Sequence, residues 1–198
     1  MDLVSFFLSQ HAAVHAKDVS GRVFSAQRVF EGLGDAQMRI RPGKGLNSLV
    51  WLLWHMARTE DAAVNPVVAG RDQVLDEAWM RRMNVPWRII GSGMTEDEVT
   101  ELTGRADVGA VRAYRSAVGL RTREVVQALR AEAWDEIVGA EDITRAGATG
   151  AFRDWVEGAQ YPWLGWSRGD QLASSALRHN AGHIGEAVTV RGLAGLGL

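Results

Sequence analysis

Apolar residues recur at helical spacing along almost the whole of this chain, and hardly a stretch alternates with the period of two that a half-buried strand requires. The chain is thereby confined to helices, apart from a possible short strand pair around residues 136 to 152. The first long candidate helix covers residues 2 to 32 and is closed by Gly32 and Gly34. Pro42, Gly43 and Gly45 mark the loop that follows. Asn47 or Ser48 can cap a second helix running to about residue 63, before Pro66, with Leu49, Leu52, Leu53 and Met56 as its apolar ridge. Asp107 can cap a third, to about residue 132, with Val108, Val111, Tyr114, Val118, Val125 and Leu129 on or near one side. The pattern Ser167-x-x-Asp170 can cap the last, which runs to about Gly192. Between the second and third helices, residues 64 to 105 read as an insertion of shorter helices, interrupted by Pro86, Gly91 and Gly93 and restarted by the capping box Thr95-x-x-Glu98. Four long helices with one elaborated connection predict an all-α, antiparallel four-helix bundle, one domain over residues 1–198.

A length of 198 residues suffices for one substantial core. The net charge of -2 offers no basic face to nucleic acid, so none is expected as a partner. Cysteine is absent, which removes disulfides, thiolate metal sites, iron–sulfur clusters and a cysteine nucleophile. Any thiol chemistry must therefore use a thiol brought from outside. The segment MDLVSFFLSQHAAVHAKD lacks a basic start and a sustained apolar run, and no window reaches the roughly 18 apolar residues of a membrane span. The expectations are a cytoplasmic location, no membrane partner, a small-molecule substrate and a possible homodimer.

Two of the five histidines, His179 and His183, lie four residues apart in the last helix. Positions four apart differ by only about 40° around the axis, so both imidazoles point the same way and can grip one ion. Counted from Leu172, they share a stripe with Ala176, Glu186 and Val190, the stripe expected to face the interior. A catalytic zinc or nickel takes three protein ligands and leaves a position open, so a third should come from another helix. His55 is the natural candidate, on a stripe with Ser48, Trp51 and Thr59; the alternative is a core histidine bonded to a backbone carbonyl. His11 and His15 form a second pair, but their stripe turns polar at Asp18 and Arg22. They read as a solvated or cavity-edge pair and not as a second metal site, with a role that is structural or supports the metal ligands from behind. Neither Glu-x-x-His nor His-Glu-x-x-His occurs, which leaves a di-iron carboxylate bundle and a zincin protease without support.

The blocks Asn47-Ser48-Leu49-Val50-Trp51-Leu52-Leu53-Trp54-His55-Met56-Ala57-Arg58-Thr59-Glu60-Asp61 and Leu177-Arg178-His179-Asn180-Ala181-Gly182-His183-Ile184-Gly185-Glu186 resemble the DinB-like superfamily. More narrowly, they resemble its branch of YfiT-type proteins and mycothiol- or bacillithiol-dependent transferases. The resemblance implies a four-helix bundle with a divalent metal, zinc or nickel first, held by His55, His179 and His183. It implies transfer of a low-molecular-weight thiol, of mycothiol type, to a small electrophile. The alternatives are a metal-dependent hydrolase and a non-catalytic metal-binding stress protein. Three neutral imidazoles leave the ion its full charge, which lowers the pKa of a thiol or a water at the open position. Glu186 can orient an imidazole or act as a base, or else be a helix-surface carboxylate. Arg58, one turn beyond His55, can receive an anionic substrate or thiol, or else pair with Glu60, Asp61 or another acid. Substrate choice is expected in residues 64 to 105 and in the aromatic stretch of Trp155, Tyr161, Trp163 and Trp166. Trp163 and Trp166 are offered as pocket walls.

Overall fold

The structure, a computed structural model, describes residues 2–21, 25–154 and 161–197. Helix α1 (Leu3–Val14) starts where the Asp2 carboxylate accepts the Ser5 N–H at 2.8 Å. It stops well short of the expected residue 32. Ala16 is extended, and α2 (Lys17–Ser20) is one turn ended by Gly21 at φ 78°; a 3-10 turn follows at Ser25–Phe30. A continuous helix would carry Asp18 onto the fully buried line of His11 and His15, whereas the break leaves Asp18 exposed. Arg22, the other polar residue of that stripe, lies outside the described residues. A further turn, α3 (Asp35–Met38), buries Met38.

Helix α4 (Leu49–Ala63) is capped by Ser48, whose hydroxyl accepts the Trp51 N–H at 3.3 Å. Every residue of α4 is buried, so it is the central rod of the molecule, and its polar side chains must find partners inside. It passes into a widened, π-type turn at Val64–Val68, which contains Pro66. Such a turn re-spaces the backbone bonds where proline has no N–H to give. The insertion holds α5 (Glu77–Met83) and α6 (Glu96–Arg105), the latter opened by the Thr95–Glu98 capping box. Helix α7 (Val108–Ala128) is capped by Asp107. The expected strand pair around residues 136 to 152 is replaced by α8 (Ala140–Ala148), whose Ile143 and Ala146 pack against Val67 at helical spacing; Ile137 makes a single bridge to Ser167 instead. The last rod is α9 (Arg168–Leu172), a second π-type turn at Ala173–Arg178, and α10 (His179–Leu193). Ser167 caps it as expected.

The core shows which way the rods run. At one end Phe7 meets Val64 and Val68, Val125 and Val126, and Leu172 and Ala176. In the main cluster Val14 joins Leu49, Val108, Val111, Ala187 and Val190. Thus α4 and α7 run in the same direction, while α1 and the α9–α10 rod run against them. Two neighbouring parallel helices need a long return connection, and the insertion with α5 and α6 supplies it.

Candidate metal centre

The three histidines singled out by spacing are brought together: each offers one ring nitrogen, and these atoms all lie within 4.8 Å of one another. His55 is 6% exposed and stacks on Trp51, one turn earlier on α4, with ring centroids 4.6 Å apart. Its Nδ1–H donates to the Ile90 carbonyl, which leaves the Nε2 lone pair facing α10. The Nδ1–H of His183 donates to a Glu186 carboxylate oxygen at 2.7 Å, which frees its Nε2 in the same way. His179 Nε2 lies 3.1 Å from His55 Nε2. Two such nitrogens sit comfortably only with a proton or a cation between them. Tetrahedral coordination with bonds of about 2.0–2.1 Å puts ligand atoms about 3.3 Å apart, so the spacing of this pair suits a shared divalent ion.

The electrostatics agree with that use. Burial pushes His55 down to about 4, against the bond to the Ile90 carbonyl, and His183 adds to the effect. Burial, followed by the neighbouring His55 and His183, pushes His179 to about 3. Both rings are therefore neutral near pH 7, the form that binds metal. Glu186 is in place to orient His183, and its other oxygen accepts the Asn47 side-chain amide at 3.0 Å. Ser48, not Asn47, caps α4, and this frees Asn47 for Glu186.

The pair His179 and His183 does not lie at the centre of the buried stripe. The π-type turn at Ala173–Arg178 shifts the register, so the count from Leu172 cannot be carried across it. Along α10 the buried line is Asn180, Ile184, Ala187 and Val190, and His179, His183 and Glu186 sit beside it, half-buried. The His183 side chain is 23% exposed and that of Glu186 32%, so the cluster is open to solvent on that side. A cavity of about 500 Å³ lies elsewhere, lined by Phe30, Leu53, Arg112 and Arg115 among others and by none of the three histidines. One partner invisible to spacing arguments is Gly91, at φ 103°. A Cβ there would lie 2.8 Å from the Trp54 ring and 3.0 Å from His55 Nδ1, so only glycine lets this loop lie against the site.

Arg58 is fully buried and does not reach the histidine cluster as a free cation. Its guanidinium donates to Asp61 at 3.2 Å, to the Tyr114 hydroxyl at 2.9 Å and to the Arg88 carbonyl, the ion-pair alternative among the sequence readings. Trp163 packs edge-on against Phe152, in the small cluster around α8, and the Trp166 carbonyl accepts the Val138 N–H. Trp155 lies outside the described residues.

His11 and His15 are not solvated: both are fully buried. Each donates from Nε2 to a different oxygen of Glu60, both at 2.9 Å. Glu60 also accepts Thr122 Oγ1 and Asn180 Nδ2, both at 2.7 Å. Burial alone would push this carboxyl up; the imidazoles of His15 and His11 outweigh it and hold it well below the usual carboxylate range. The carboxylate thus has four donors from three other helical rods. The sequence held one sign of this, a histidine pair in phase with Phe7; Glu60 itself stands among Arg58, Thr59 and Asp61 and gives no such sign.

The chain is thus a helical bundle with three imidazoles between two of its rods, placed so that they could hold a metal ion. The sequence profile of the DinB superfamily matches residues 25–187, and the chain belongs to that superfamily. Among solved structures, a conserved protein from Enterococcus faecalis superposes with a TM-score of 0.70 at 17% identity, covering 98% of each chain. At that identity the likeness speaks for the fold. No curated protein matches the chain.

Proposed function

We propose that the protein is a metal-dependent enzyme that transfers a low-molecular-weight thiol, of the mycothiol or bacillithiol kind, to a small electrophile. The observation that carries this reading is the convergence of His55, His179 and His183, two of them with the Nε2 lone pair presented by a bond from Nδ1. A divalent ion held by these three imidazoles would supply positive charge that the ligands do not cancel, which favours the thiolate over the thiol form. The chain's own groups do the rest. Trp51 and the Ile90 carbonyl hold the His55 ring, and Glu186 holds His183, itself anchored by Asn47. With both its oxygens so engaged, Glu186 serves mainly to orient. The half-exposed side of the cluster leaves room for a substrate, and a chain without cysteine must take its thiol from solution. The sequence resemblance to the thiol-transferase branch supports the same choice.

Thiol consumption with a panel of electrophiles tests it. The expected result is conjugation that depends on both thiol and metal, is suppressed by a chelator, and is absent from His55→Ala. Turnover without any thiol would make the protein a hydrolase. If mycothiol, bacillithiol and glutathione are neither consumed nor perturb the spectrum of a cobalt-substituted site, the transferase reading is lost.

A further inference from the structure

The rods that carry the candidate ligands, α4 and α10, meet mostly through apolar side chains such as Leu53, Trp54, Ile184 and Ala187. Apolar contact is non-directional and does not by itself fix the register of two helices. Metal ligation is far less tolerant, since ligand distances must hold within about 0.2 Å. Something polar must set the register. Among the described residues, and apart from the histidines, two polar ties link α10 to α4 or to the loop just before it, with His55 and His183 between them. One is Asn47 to Glu186, half-exposed, beyond His183. The other is Asn180 to Glu60 at 2.7 Å, fully buried, directly beside His179.

We propose that Glu60 and Asn180 are positioning residues for the metal centre: the buried bond between them fixes α10 against α4, and so sets where His179 and His183 stand relative to His55. The inference rests on the reading of the three histidines as ligands. Glu60 follows His55 by five residues, about 7.5 Å along the helix axis, and Asn180 is the immediate neighbour of His179. The π-type turn before His179 is what brings Asn180 onto the buried line. Glu60 is itself immobilised. His11 and His15 hold one oxygen each from α1, and Thr122 holds Oε1 from α7, so Asn180 docks on a carboxylate already fixed by the remainder of the bundle. Asn180 is fixed in turn by a second bond, from Nδ2 to the Ala176 carbonyl at 3.0 Å. A carboxylate and a primary amide form a directional contact that cannot slide as leucines can.

Two substitutions on the same node separate positioning from general stability. Asn180→Ala removes the tie to the ligand helix; Thr122→Val removes a donor to the same carboxylate from α7, which carries no ligand. Zinc affinity is measured by competition with a chelator, alongside the ligand-field spectrum of the cobalt form. Both variants should melt at lower temperature. Asn180→Ala should also bind zinc at least about 10-fold more weakly, with shifted cobalt bands, while Thr122→Val stays within about twofold of the parent. If Asn180→Ala does not fold, Asn180→Gln takes its place, since its longer stem allows the bond only with α10 displaced; the same shift is expected. A folded Asn180 variant with parental affinity and spectrum overturns the proposal, as does equal weakening in Thr122→Val. A parent protein that binds no metal would instead remove the reading beneath it.

Discussion

Neutral imidazoles inside a protein tie its stability to pH. Burial lowers His15 to about 4, His55 to about 4 and His179 to about 3, against the ordinary 6.5. The folded form resists protonation that the unfolded chain accepts freely. Their contribution is therefore fully present above about pH 6.5 and is lost as the pH falls toward 4, at about 1.4 kcal/mol per pH unit for each ring. Glu60, held low, contributes in the same sense at still more acid pH. In chelator, urea unfolding at about pH 5 should show a much lower midpoint than at about pH 7.5; an unchanged midpoint would mean these rings are not buried as neutral groups. At this scale, spacing and scarcity made the candidate ligands legible: five histidines, two pairs four apart, and one on another helix. The groups that orient them were mostly not legible. The Ile90 carbonyl, Gly91 and Asn180 reach the site only through tertiary contacts, which leave no local pattern.

Helix α4 shows what patterning can and cannot reveal about an element. Its existence and its start at Ser48 follow from capping and an apolar ridge, but its burial on every side does not, because Arg58, Glu60 and Asp61 imitate a solvated face. Inside, Asp61 accepts Tyr114 O–H, Arg58 and Asn65 side-chain N–H, and the backbone N–H of Val74 and Leu75. That carboxylate fastens the first loop of the insertion to the central rod. Asp61→Ala would leave the Arg58 charge and two backbone donors without their partner, and should cost about 3–5 kcal/mol in chemical denaturation. A loss within about 1 kcal/mol would mean that Asp61 is solvated. The first helix was overestimated for a related reason: apolar spacing continues past His15, yet the chain turns there so that Asp18 reaches solvent.

The four rods were readable as a bundle from their periodicity, whereas their directions were not. The parallel pairing of α4 and α7 follows from the packing at the two ends of the core and explains why a long insertion separates them. That arrangement gathers two polar clusters around α4: a half-exposed one of three imidazoles toward α10, and a sealed one of two imidazoles and a carboxylate toward α1. Either cluster could hold an ion by geometry, but only the first is open to solvent; in the second every lone pair of the carboxylate already has a donor, and the unpartnered Nδ1 atoms of His11 and His15 are sealed from water. The direct measurement is metal stoichiometry after equilibrium dialysis against zinc, for the parent protein, His183→Ala and His15→Ala. The account predicts one tightly bound ion per chain in the parent and in His15→Ala, and none in His183→Ala. An ion lost from His15→Ala and retained by His183→Ala would place the metal at the wrong cluster and contradict it.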